Sequence, residues 1–466
     1  MLSTTIHSIK NEIKEILTLG IPLVSAQLIY ACSGFIGTAM VAQLGKDALA
    51  ASILVSMIWM SLSVFFFGIL NATSVLVSHQ YGAKNNTAIS EIMGQSYLLG
   101  VIVCVPMMLT LLSMPWLLRW STQPPEVLNL AYKYMYALLW TTPGLVILVV
   151  TEQFLAGIGR AKFVLRISIM VVPIEIFLIY LFIFGKWGMP KLGIAGVGFG
   201  FAVTYTATAI ALIFYLVKAN LYRHFHILNG VFSVNAKYLI ELIRLGLPMG
   251  FMYLIEVSTF AIATFWMARF GTTMLAAHQI AMQYLSFAIT LVFAMGQAVT
   301  IRVGHSVGRQ DLSGIRYAVY IGMVLNFICV LIVALAFYFI PELFLHLDLD
   351  IYDPANRTLI HDSSLLLAIS GALLIFDNFR ILGFGALRGL KDTHFSMYSS
   401  FVSFWLISLS TAFLLGFTWD YQGQGIWWGL TFGIGCGALI VFLRLHYLLR
   451  RIDLQQLAEM VKPKRE

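Results

Sequence analysis

Charge is scarce in this chain. Of its 466 residues only 11% are Asp, Glu, Lys or Arg, while 60% are hydrophobic. Soluble globular proteins carry about a quarter of their residues as charges, so that class is excluded. Cysteine is equally sparse. Cys32, Cys104, Cys329 and Cys436 each stand alone in an apolar run, where a thiol packs as a small hydrophobe, and neither a disulfide framework nor a CxxC site is expected. Walker GxxxxGK[ST], HExxH and GxSxG patterns are missing, and the glycine-rich tract 193–200 opens an apolar run instead of following a strand. No polar segment is long enough for an attached soluble domain. These absences argue against an enzyme, so no catalytic residue, metal site or cofactor is expected. Met1 to Glu15 is polar and leads straight into a full-length apolar stretch, which is not the pattern of a cleavable leader.

Long apolar runs are what the chain has in abundance. Twelve of them recur along its length, each about as long as a helix needs to cross a hydrocarbon core of roughly 30 Å. The predicted spans are 16–42, 49–78, 90–114, 127–155, 163–185, 193–217, 238–268, 274–303, 316–340, 363–387, 395–418 and 425–449. The expected fold is therefore all-α and integral to the membrane. With the N-terminus inside, 21 of the 29 Lys and Arg residues fall in inner segments, 7 fall in outer ones, and Arg380 lies within a span. By the positive-inside rule both termini face the cytoplasm, and the net charge of +8 reflects topology rather than nucleic-acid binding. The polar interruption 218–237 sits at the centre of the chain. It divides the chain into an N-terminal six-helix bundle (1–222), a cytoplasmic linker (223–237) and a C-terminal bundle with a short basic tail (238–466). A second interruption, 341–362, carries four aspartates and reads as a solvated outer loop.

The two bundles repeat each other. A shift of 226 residues lays Gly20, Pro22, Gly45, His79 and Gly82 on Gly246, Pro248, Gly271, His305 and Gly308. Six crossings return a chain to its starting side, so both copies have the same orientation. The expected pseudo-two-fold axis then runs along the membrane normal, as in parallel-repeat transporters with a central site.

Three carboxylates fall well inside apolar runs: Glu175, Glu256 and Asp377. Burying one costs at least about 2.5 kcal/mol on insertion scales, and such residues mark ion or proton pathways. At 1.5 Å per residue, Glu256 lies roughly 20 Å in from Arg269 and Asp377 about 22 Å in from Asp362, so the two share a depth. Arg380 follows Asp377 by three residues, on the same helical face, and is expected to modulate it through an intrahelical ion pair. Glu175 follows Pro173, in a span where the proline leaves one backbone carbonyl free. Around Glu256, the residues Met252, Tyr253 and Phe260 share a face that mixes thioether and aromatic surface, which suits an apolar cation. Gln279, Gln283, Ser286 and Thr290 form a polar stripe on the next span, and such a stripe faces protein or water rather than lipid.

Longer stretches carry a family resemblance. RLGLPMGFMYLIEVSTF, LAAHQIAMQ and GQAVTIRVGHSVG lie between Arg244 and Gly308, and DNFRILGFGALRGLKDT runs from Asp377 to Thr393. With LGIPLVSAQ, LAGIGRAKF and GMPKLGIAGVGFG in the first half, the chain from about residue 12 to 450 resembles the multidrug and toxic compound extrusion (MATE) family, in its NorM-like branch. The resemblance implies a proton- or sodium-coupled antiporter of the bacterial inner membrane that exports organic, often cationic and amphipathic, drugs or toxins by alternating access. It also implies that Glu256 and Asp377 serve cation coupling. Three departures stand out. Gly37 in IGTAMVA occupies the family's Asp position in VDTxMxG. EIFLIY replaces NIxLNY, with Glu175 at the first Asn and Ile179 at the second, and Arg380 stands where DxxQ has Gln. Glu175 is the expected replacement for the carboxylate lost at Gly37. A flippase for a lipid-linked precursor or polysaccharide is the alternative, and a channel or receptor a more distant one. The expected partners are small organic cations and the bilayer, with the monomer as default.

Overall fold

The computed structural model describes residues 2–118, 124–231, 233–350 and 353–462. The basic residues expected at 463–466 lie outside the described residues. Among those described, twelve helices are long and apolar enough to cross a membrane: α1 (Ile9–Ala42), α2 (Lys46–Gly82), α3 (Asn86–Trp116), α4 (Pro125–Gly157), α5 (Ala161–Phe184), α6 (Ala195–Lys218), α7 (Ala236–Phe270), α8 (Thr272–Gly308), α9 (Leu312–Phe339), α10 (Pro354–Gly389), α11 (Thr393–Thr418) and α12 (Gln422–Arg451). A short amphipathic helix, α13 (Leu454–Val461), ends the described chain. The protein is an all-α, multi-pass membrane protein, as its hydropathy predicts. Most helices extend past the predicted ends, most of all at the starts of α10 and α1, where polar turns precede the apolar run.

The 226-residue repeat is visible in backbone detail. Gly45 and Gly271 cap α2 and α8 with φ of 110° and 100°, a region that L residues rarely adopt and glycine enters freely. Lys84 and Gln310, again 226 apart, share φ of 57°. The next residues, Asn85 and Asp311, each turn a side-chain oxygen onto a backbone N–H three residues on, at 3.1 and 2.9 Å. That is the N-cap arrangement that starts α3 and α9.

Packing divides the described chain into two compact units: residues 2–24 with 251–461, and residues 25–250 with Lys462. These bounds differ from the sequence division at 222 and 238 because both long helices with matching prolines are shared. The divisions fall two residues after Pro22 in α1 and two after Pro248 in α7. A proline inside a helix removes one backbone hydrogen bond, which makes this the natural place for a helix to change direction and partners. The connection at 218–237 is not a free linker either. Tyr222, Phe225 and Ile227 are buried among Ile89, Tyr97 and Phe154 in the core of the second unit.

In the first unit α8 packs closely on α10, where Thr300 Oγ1 donates to the Gly385 carbonyl at 2.8 Å. In the second, α4 packs on α6 and Thr141 Oγ1 donates to Gly198 O at 2.9 Å. Small residues and hydroxyls of this kind let helices approach within the membrane. A bidentate ion pair fixes the start of α1 in the first unit: Arg302 of α8 donates to both Glu12 oxygens at 2.9 and 2.7 Å and to Glu15 at 3.3 Å. Helix α11 carries two wide-turned π stretches, Phe401–Ser408 and Leu414–Thr418.

Candidate functional site

Glu256 on α7 and Asp377 on α10 meet at one guanidinium. Arg380 donates through Nε to Asp377 Oδ1 at 2.5 Å, through Nη2 to Glu256 Oε1 at 2.9 Å and through Nη1 to Glu256 Oε2 at 3.3 Å. All three side chains are buried, Arg380 completely. The i,i+3 spacing that predicts the pair with Asp377 holds. What the spacing does not reveal is the second, bidentate partner on α7, so Arg380 bridges two carboxylates instead of modulating one. Phe404 and Phe384 flank its plane, with centroids 4.6 and 5.5 Å away. Their ring faces add favourable electrostatics to a desolvated cation. One positive charge against two carboxylates leaves the trio short of neutrality by one charge when both are ionised.

The remaining predicted residues of the first unit surround this centre unevenly. Met252 belongs to the hydrophobic core at 2% exposure, whereas Tyr253 and Phe260 are partly open. Phe260 packs edge to face on Phe404. Tyr253 packs on Phe293, and its hydroxyl accepts from Arg388 Nη1 at 2.5 Å. On α8, Gln279, Gln283 and Ser286 form an exposed stripe. Ser286 and Thr290 satisfy their hydroxyls on carbonyls one turn back, and Gln283 reaches Asp348 at 3.5 Å.

Glu175 lies elsewhere, in the core of the second unit. The Ser33 hydroxyl of α1 donates to its Oε1, and the Tyr205 phenol of α6 lies beside it. Its Oε2 has no hydrogen-bond partner among the described residues. A half-buried carboxylate joins this cluster. Glu152 of α4 accepts from Tyr30 of α1 at 2.9 Å, and the electrostatic influence of both acids reaches both phenols. Neither acid has a salt bridge among the described residues. Sequence reading misses Glu152 because it stands near the end of a span, although the preceding run VILVV was a signal that it is inside the membrane. At Gly37, where the family has Asp, a Cβ would meet nothing within 4 Å.

Arg388 is a further residue whose burial sequence reading misses. Counted among the inner-loop charges, it is instead buried at the end of α10, donating to the Phe384 carbonyl at 3.3 Å and to Tyr253.

Comparison with known proteins follows from this architecture. The MatE family model matches residues 22–181 and 248–414. Multidrug resistance protein NorM of Burkholderia vietnamiensis is 33% identical over 436 residues, covering 92% of each chain. Its namesake in Vibrio cholerae is 28% identical over 456 residues, 97% of this chain and 99% of that protein. Among solved structures, a Vibrio cholerae MATE transporter in its bent form aligns with TM-score 0.85 at 19% identity, over 95% of this chain and 98% of the other. An outward-facing multidrug resistance MATE transporter aligns with TM-score 0.85 at 20% identity, over 94% and 96%.

Proposed function

The chain belongs to the MatE family and is therefore a membrane transporter, not an enzyme, and from that premise we propose that it is a cation-coupled antiporter exporting organic cations and other amphipathic drugs or toxins. The observation that carries this reading is the single guanidinium shared by two buried carboxylates. A buried charge without a full complement of counter-charge is costly. The trio can complete its balance with one monovalent cation: a proton, a sodium ion or the charged head of a substrate. These occupants exclude one another. A substrate cation taken up from the inside holds the site until a proton or sodium ion entering from outside replaces it, and the ion-loaded carrier then returns. A membrane potential of 100 mV supplies about 2.3 kcal/mol per charge moved, enough for roughly fifty-fold accumulation per net charge.

Phe260 and Tyr253 offer aromatic surface to an organic cation, and Gln279 and Gln283 offer amides to its polar substituents. The acids of the second unit, buried Glu175 with half-buried Glu152, have hydroxyl partners only among the described residues, which suits a second proton or sodium ion rather than a bulky substrate. The carrier works as a monomer in the bacterial inner membrane with both termini in the cytoplasm. It needs no cofactor beyond the transported ion.

Ethidium efflux from proteoliposomes, under an imposed sodium gradient and separately under a proton gradient, tests the reading. Wild type is expected to respond to one of the two gradients. Glu256→Gln and Asp377→Asn are expected to lose at least about nine-tenths of that response. Efflux indifferent to both gradients would contradict coupling and favour a flippase or channel.

A further inference from the structure

Arg388 is a buried guanidinium that makes no salt bridge among the described residues. Its Nε donates to the Phe384 carbonyl and its Nη1 to the Tyr253 phenol, both neutral groups. Burial of an unpaired charge is expensive, and a protein keeps one only where something distant compensates it. Tyr253 stands one turn before Glu256 on α7, and Arg388 stands eight residues after Arg380 on α10. Eight residues of helix span about 12 Å. The two helices thus form a ladder with the carboxylate trio on one rung and Tyr253–Arg388 on another. From α8, Gly296 faces this guanidinium: a Cβ placed there would lie 3.8 Å from Nη2. The charged groups of the ladder are Glu256, Asp377, Arg380 and Arg388, two of each sign, with Tyr253 between Glu256 and Arg388.

We infer that Arg388 is a tethered counter-cation, held by Tyr253, that offsets the negative charge of the empty trio and weakens its hold on the coupling ion. The inference rests on the antiport reading above and names what regulates that site. With the site empty, these four charges of the first unit sum to zero. With a cation bound, Arg388 becomes surplus positive charge, which repels the occupant and speeds its release. Arg388 acts through the field at the carboxylates and touches neither ion nor substrate, so it is a positioning residue.

The test is the concentration of sodium ion, or of protons, that half-saturates ethidium efflux in proteoliposomes. Removing a unit charge about 12 Å away at an effective dielectric near 20 is worth about a factor of ten. Arg388→Gln is therefore expected to lower the half-saturating cation concentration about tenfold and to slow maximal efflux. Arg388→Lys, which keeps the charge, should stay within about twofold of wild type. Tyr253→Phe frees the guanidinium to swing toward Glu256 and should raise the half-saturating concentration severalfold. A merely structural role would move all variants in the same direction. Should Arg388→Gln fail to fold, the raised half-saturating concentration of Tyr253→Phe against the near-wild-type value of Arg388→Lys still decides. An unchanged or weakened cation affinity in Arg388→Gln, or an unchanged one in Tyr253→Phe, overturns the inference. Loss of cation dependence in wild type itself would instead overturn the antiport reading beneath it.

Discussion

The two compact units hold the carboxylates within their apolar spans in opposite ways. In the first, Glu256 and Asp377 share the guanidinium of Arg380. In the second, Glu152 and Glu175 face hydroxyls, from Tyr30, Ser33 and Tyr205, and no guanidinium or ammonium bridges them among the described residues. Both units descend from one repeat, down to the glycine caps at 45 and 271. The shared scaffold therefore fixes helix starts and crossings, while the chemistry of each half was set separately by a few side chains. A neutral hydroxyl stabilises a carboxylate only by hydrogen bonding, whereas a guanidinium supplies charge, so the two sites should respond differently to the same substitutions.

The largest contrast should come from removing the cation of the first unit. Arg380→Gln leaves two buried carboxylates without their directly paired guanidinium, at a cost of about 3 to 5 kcal/mol. Its thermal unfolding midpoint in detergent should fall by several degrees, and adding Glu256→Gln and Asp377→Asn should restore much of the loss. Glu175→Gln has the opposite expected pattern. It removes a charge that has no ionic partner, so the midpoint should hold or rise while gradient-driven efflux falls at least about fivefold. A drop in both would mean that Glu175 is structural.

Equivalent glycines give a sharper, smaller comparison. A Cβ at Gly246 would overlap the backbone carbonyl of Ile69, while one at Gly20 would overlap the flexible sulfur of Met295. Overpacking against backbone costs typically 1 to 3 kcal/mol. Gly246→Ala should therefore destabilise by about that much and Gly20→Ala by less than about 1 kcal/mol, measured by denaturation of the two variants side by side.

The smallest effect concerns the paired helix caps. Replacing Asn85 or Asp311 with Ala should cost about 1 kcal/mol each. Only the second cap titrates. Burial pushes the Asp311 carboxyl up, but hydrogen bonds from Ser313 and Gly314 and the nearby Arg309 outweigh it and hold the group below the ordinary carboxylate range. Its folded-state value is depressed, so its contribution is present above the ordinary range and is lost as pH falls through the depressed value. Acidification should narrow the difference between wild type and Asp311→Ala and leave that for Asn85→Ala unchanged.

Hydropathy and the repeat made the twelve spans legible, and the energetic cost of burial singled out Glu256, Asp377 and Glu175 without any knowledge of their neighbours. Partners across helices were not legible. Arg380 could be paired with Asp377 by helical spacing, but its second partner lies 124 residues away. Arg388 and Arg302 read as inner-loop charges because hydropathy locates a residue along a helix and not around it. Both are buried, Arg302 against Glu12. Where packing divides the chain was also hidden, although Pro22 and Pro248 were visible as matching interruptions; a proline announces a weak point in a helix without saying which side changes partner. Met252 shows the converse limit. A stripe of Met and aromatic residues at helical spacing covers core and cavity alike, and only the structure separates Met252 from Tyr253 and Phe260.

Competition between coupling ion and substrate for one set of carboxylates is the central claim, and equilibrium binding tests it without a gradient. Ethidium affinity of the purified protein would be measured by fluorescence with and without saturating sodium ion, and at neutral and acidic pH. The account predicts at least tenfold weaker ethidium binding in wild type under one of these conditions, and no such weakening in Glu256→Gln or Asp377→Asn. Weakening of equal size in wild type and both variants would contradict it.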